Sequence, residues 1–155
     1  MNMRIDGSSS SIPTPTTPSF PNAGQTFGFL TPIDQAITLY NNMRYPPAQA
    51  DIDKLMNIVD NIPNLCSQAM ASVGVTNYDP ANPPSDPVVN QFCQVLTALS
   101  ANATTAAPLL SNVLEQESRG GNAPPMEKTF LDNAWNPITD EIKAAEKLVN
   151  DSTNG

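Results

Sequence analysis

The side chains in this chain that could do chemistry are two thiols, Cys66 and Cys93, and a set of fifteen carboxylates. Histidine is absent. That removes the usual general base near neutral pH, the commonest metal ligand and the imidazole that activates a serine or cysteine nucleophile. A metal would have to be held by carboxylates alone, and no calcium-loop spacing occurs. Asp51 and Asp53 stand together at a helix start, where the helix dipole already accounts for them. Gly24 and Gly28 follow no strand and make no phosphate loop. Glu115 and Glu117 point in different directions on a helix, so they form no acid–base pair. The expectation is a protein that is not an enzyme, with no catalytic residue, no cofactor and no metal.

The two thiols gain meaning from the elements around them. A loop rich in turn formers (Asn77, Asp79, Pro80, Asn82, Pro83, Pro84) covers 74–86 and joins two long helical segments. Cys66 lies seven residues before Val73, and Cys93 six after Pro87. The counting places both at similar height, approaching each other across the helix pair. They are either two reduced, buried thiols, as a cytosolic setting favours, or the sharper alternative, a disulfide.

The segment after that loop organises the rest. Residues 88–114 contain no charge, while Val89, Phe92, Leu96, Leu99, Ala103, Ala106, Leu110 and Val113 recur at steps of three and four. That spacing makes one apolar stripe on a helix, and the lack of a charged face predicts that other helices enclose it. Asp86-Pro87 caps and starts this helix, and Gly120-Gly121 follows its end. Thr31-Pro32-Ile33-Asp34 reads as the start of a first helix over about 31–44, with Ile33, Ala36, Ile37, Tyr40 and Met43 as its stripe. From 48 to 73, Ile52, Met56, Val59, Pro63, Cys66, Met70 and Val73 keep one rhythm. Pro63 implies a kink or two helices recapped at Asp60 or Asn61, and the stripe staying in phase favours the kink. Residues 126–149 form the last helix, with Leu131, Ala134, Ile138, Ile142, Ala145 and Val149 inward and a mixed-sign charged face outward. Pro108 and Pro137 sit inside helices and are expected to kink rather than break them; each is a candidate hinge or fixed kink. Trp135, with Phe130 near it, either anchors the last helix or serves as an exposed binding anchor. The fold class is all-α: an antiparallel bundle of about four helices over 29–150, with 151–155 fraying.

Residues 1–28 read as a disordered Ser/Thr/Pro-rich tail. Pro15, Pro18 and Pro21 repeat the PxxP spacing that favours polyproline II and docks on aromatic grooves, although no Arg or Lys flanks them. The low-charge Ser/Pro composition resembles the export signals of bacterial type III secretion substrates. Pro84-Ser85-Asp86-Pro87 between two helices is similar to the helical hairpin of type III secretion needle subunits. That likeness covers four residues and a topology, and helix-start chemistry accounts for the same residues. The chain departs from the needle pattern in its length, its further long helix and the prolines at 108 and 137.

A net charge of −8 with only seven Lys and Arg disfavours nucleic acid and anionic membrane surfaces. No apolar run reaches the length of a membrane span or of a secretory leader, so the chain is expected to be made soluble, remaining in the cytoplasm or leaving by a non-Sec route. Two functions fit. One is a protein-binding or structural subunit of a larger assembly, self-associating as a homo-oligomer or joining protein partners. The other is a secreted effector or adaptor that binds a partner protein.

Overall fold

The computed structural model describes residues 19–154. They form five helices: α1 (Ala23–Asn41), α2 (Gln49–Val59), α3 (Ile62–Ala71), α4 (Pro87–Ser118) and α5 (Pro125–Asn154). The long uncharged segment became the 32-residue α4, and its expected stripe is buried at all eight positions. The six inward positions of α5 are buried likewise. Each large aliphatic side chain hidden this way contributes about 1.5–3 kcal/mol relative to exposure.

Pairings between helices fix the directions. Asn102 reaches Glu141, Gln116 reaches Glu127, and Glu117 meets Lys128. Residue numbers thus fall along α5 as they rise along α4, and the two helices are antiparallel. Tyr40 stacks on Trp135 while Asp34 meets Glu146, so α1 also runs against α5. Thr26 near the start of α1 touches Ser72 just past the end of α3, which runs α3 against α1. The close packings are α1 on α2, α3 and α5, and α4 on α2, α3 and α5. The result is an up-down-up-down bundle in which α2 and α3 share one arm and α1 stands diagonal to α4.

Several boundaries differ from the sequence expectation. Helix α1 begins at Ala23, not near Thr31, and passes through Pro32. Its early turns are held because Phe20, Thr26 and Leu30 are buried, Phe20 meeting Phe92 edge-on at 5.0 Å. That burial offsets the hydrogen bond Pro32 removes, and it draws residues 19–28, expected in the tail, into the bundle. In the second arm the break prevails over the kink. Asp60 and Asn61 separate α2 from α3, and Pro63 sits in the first turn of α3, where its missing N–H costs no helical bond. Leu55, Ile62 and Ala69 fill the core beside Ile52, Val59 and Cys66, keeping a three-four rhythm across the break, while Met56, Pro63 and Met70 are half-buried. Helices α4 and α5 run unbroken through Pro108 and Pro137. The last helix continues to Asn154, where fraying was expected; Lys147 bridges Asp151 at 2.7 Å one turn on.

The ends of α4 follow their capping chemistry. Asp86 accepts the Val88 N–H at 2.9 Å and the Ser19 hydroxyl at 2.6 Å, which ties the entering chain to the helix start. Gly120, at φ 80°, lets the chain turn back so that the Gly121 N–H reaches the Gln116 carbonyl at 3.1 Å.

Candidate interaction surfaces

Charge is segregated on the bundle. Residues 62–71 and 88–114 carry none, while the exposed acids and bases of α2 and α5 crowd the other flanks. Outward positions Gln91, Gln94, Ala98, Ala101, Thr105 and Pro108 form a continuous exposed line along α4, spaced three and four residues apart. The neighbouring helices leave this face uncovered, contrary to the expected enclosure. The reason is geometric: α4 packs on α5 and on the α2–α3 arm, and four segments cannot wrap a helix at the corner of a square. Thr97, Thr104 and Thr105 donate their hydroxyls back to the carbonyls of Cys93, Ser100 and Ala101 at 2.7, 2.9 and 3.1 Å. The face therefore has part of its hydrogen-bonding capacity satisfied within the helix. Exposed Asn64, Ser67, Gln68 and Ala71 of α3 extend it without charge. A groove of about 290 Å³, lined by Pro63, Ser67, Met70, Tyr78, Thr97 and Ser100 among others, runs between the two helices.

A second feature lies at the end of the bundle where α1 and α4 finish and α5 begins. Tyr40, Tyr45, Val113, Glu117, Lys128, Leu131 and Asp132 line a cleft of about 420 Å³. Its floor is apolar, and Lys128 meets Glu117 at 3.0 Å on the rim. Burial pushes Tyr40 up to about 12, with Tyr45, Asp132 and Glu117 adding to the rise. Burial likewise raises Tyr45, with Glu117 adding and Lys128 opposing. Lys128 is raised by its hydrogen bond to Glu117 and by that carboxylate's charge. All three shifts favour the protonated form, through burial first for the two tyrosines and through the Glu117 carboxylate for Lys128. Tyr45, Met126 and Phe130, the large apolar side chains most exposed among the described residues, all lie near this end.

The residues singled out from sequence divide between core and surface. Cys66 and Cys93 are both buried and both free thiols. Burial pushes Cys66 up to about 12, with the charge of Glu141 assisting, and Cys93 up to about 11. Trp135 is a core anchor, 3% exposed, its ring 5.0 Å from that of Tyr40. Phe130 is 55% exposed, so the two aromatics separate into different roles. Pro21 is exposed beside the start of α4, where it helps line a depression with Ser19, Pro84 and Asp86; Pro15 and Pro18 lie outside the described residues. The cleft was not found from sequence, because Tyr40 read as core, Lys128 and Asp132 as a solvated face, and nothing local links them to Glu117.

Between α1 and α5, burial and then the neighbouring Asp34 carboxyl raise Glu146 to about 8. Among the described residues no group of three or more metal-ligating side chains occurs, and no helix is long and apolar enough to cross a membrane. The chain matches no protein-family model, and no match was found among curated proteins or solved structures.

Proposed function

We propose that this protein acts without catalysis, as a protein-binding or structural subunit of a larger protein assembly, and that it meets its neighbours through the charge-free face of α3 and α4. The observation that carries this reading is the uncovered line from Gln91 to Pro108 on a chain whose net charge is −8. Two copies approaching through the α5 flank would instead bring an excess of acidic side chains together. On the charge-free face small side chains allow close helix approach, and the threonine hydroxyls need fewer new partners. Light scattering coupled to size-exclusion chromatography over a wide concentration range tests it. Mass should rise with concentration, and Ala101→Glu should restore the monomer without loss of helix content. A monomer at every concentration that also captures no partner through this face would overturn the reading.

The second reading is an adaptor or secreted effector that stays monomeric and engages one partner. The exposed Tyr45, Met126 and Phe130 at the cleft end favour it, because large apolar side chains beside acidic groups suit a specific contact better than open solvent. Tyr45→Ala or Phe130→Ala would then weaken capture of that partner, whereas Ala101→Glu would not.

A further inference from the structure

We infer that the cleft formed by Tyr40, Tyr45, Glu117, Lys128 and Asp132 is a receptor for an arginine side chain presented by a partner polypeptide. This rests on reading the chain as a protein-binding module, but not on the α3–α4 face. The walls supply what a guanidinium needs. Tyr45, 58% exposed, lines the opening together with Tyr40, whose ring packs 5.0 Å from that of Trp135. Phenol faces attract a delocalised planar cation, and a stacked guanidinium loses less hydration than an ammonium. The Glu117 carboxylate side chain is only 12% exposed, so a cation reaching it does so in a partly dehydrated setting where a charge-assisted bond is stronger than at an open surface. Asp132 adds a second carboxylate on the same rim. The apolar floor of Val113 and Leu131 suits the methylene stem.

Lys128 already holds Glu117, and this identifies the mode of entry. Its side chain is 47% exposed and flexible, so it can swing outward as the guest takes its carboxylate. Lys128 is an internal stand-in for the guest: an ammonium on a carboxylate, replaced by a group with two parallel donors and an aromatic partner. A polypeptide rather than a free amine is favoured because Met126 and Phe130, one turn apart on the adjoining start of α5, are 70% and 55% exposed. They offer apolar ground for the residues flanking the arginine.

The full-length protein is titrated with a short blocked peptide carrying one arginine between leucines, and with its citrulline counterpart, which keeps the shape and loses the charge. The readouts are Trp135 emission, reached through Tyr40, and amide shifts at 40, 45, 117, 128 and 132. The arginine peptide should perturb these positions and bind about tenfold or more tighter than the citrulline peptide. Glu117→Gln should weaken it by about tenfold, and Tyr45→Ala by about two- to fivefold. Lys128→Ala, by removing the internal competitor, should tighten it severalfold. Equal binding of arginine and citrulline peptides, or weaker binding to Lys128→Ala, would overturn the inference. Spermidine binding as tightly as the peptide would overturn the polypeptide source. Light scattering on the same samples separates the two readings, since concentration-dependent mass that persists in Glu117→Gln leaves the assembly role intact when the cleft fails.

Discussion

The thiols and the half-buried carboxyl of Glu146 are set by their surroundings more than by their own chemistry. Cys66 and Cys93, pushed up to about 12 and 11 by burial, hold almost no thiolate at pH 8. Iodoacetamide should therefore label both at least about a hundredfold more slowly in the native protein than in denaturant, read by mass spectrometry. Rapid native labelling would show that the arm carrying Cys66 opens. Glu146 provides the pH dependence. Its folded pKa of about 8 lies above the unfolded value, so the folded state binds the extra proton between them. The stability this gives is complete below the unfolded carboxyl range and is lost as pH rises through about 8. Glu146→Gln should flatten that slope and stabilise the protein at pH 8 by about 1–2 kcal/mol, a range reduced for the solvent that reaches a half-buried group. Chemical denaturation at pH 5.5 and pH 8 measures both effects.

At the scale of elements, caps and prolines decide where helices begin. Asp86 both caps α4 and receives Ser19, which leaves its carboxyl below its ordinary range, with the Ser19 hydroxyl the largest cause. Asp86→Ala should cost about 1–2 kcal/mol and loosen the entry of residues 19–22, seen as lost hydrogen-exchange protection in the first turns of α1. Pro108 is exposed inside α4 and removes one helical hydrogen bond. Pro108→Ala should raise stability by about 1 kcal/mol or more. If the residue also shapes the assembly face, association should change by more than the stability does. Pro63 shows why position governs such effects: in the first turn of α3 its missing N–H costs no helical bond, whereas Pro108 within α4 removes one.

For the whole molecule, the uneven distribution of charge makes a prediction that separates this assembly mode from an ion-paired one. If copies meet through the proposed neutral face, a net charge of −8 makes them repel at long range and attract only at short range. Raising ionic strength should strengthen self-association, because screening removes the repulsion and no interfacial ion pair is lost. An interface built on salt bridges would weaken instead. Light scattering at two salt concentrations distinguishes them.

Much of the fold was legible in the sequence because it is periodic. All eight stripe positions of α4 and all six of α5 are where the three-four spacing put them, and Asp86-Pro87 and Gly120-Gly121 mark the ends of α4 by chemistry confined to a few residues. In the second arm Ile52, Val59 and Cys66 are buried as the spacing put them, while Leu55, Ile62 and Ala69 rather than Met56, Pro63 and Met70 complete the buried side, because both sets fit a three-four rhythm through those three residues. The start of α1 was hidden because its stabilising contact, Phe20 on Phe92, joins residues far apart in the chain. The candidate sites follow the same division. The lack of charge over residues 88–114 is a property of the sequence, but whether the outer face of that stretch is covered depends on how many helices surround it. The cleft draws on the end of α1, the turn after it, the end of α4 and the start of α5. No local pattern records such a meeting, because the side chains become neighbours only when the bundle closes.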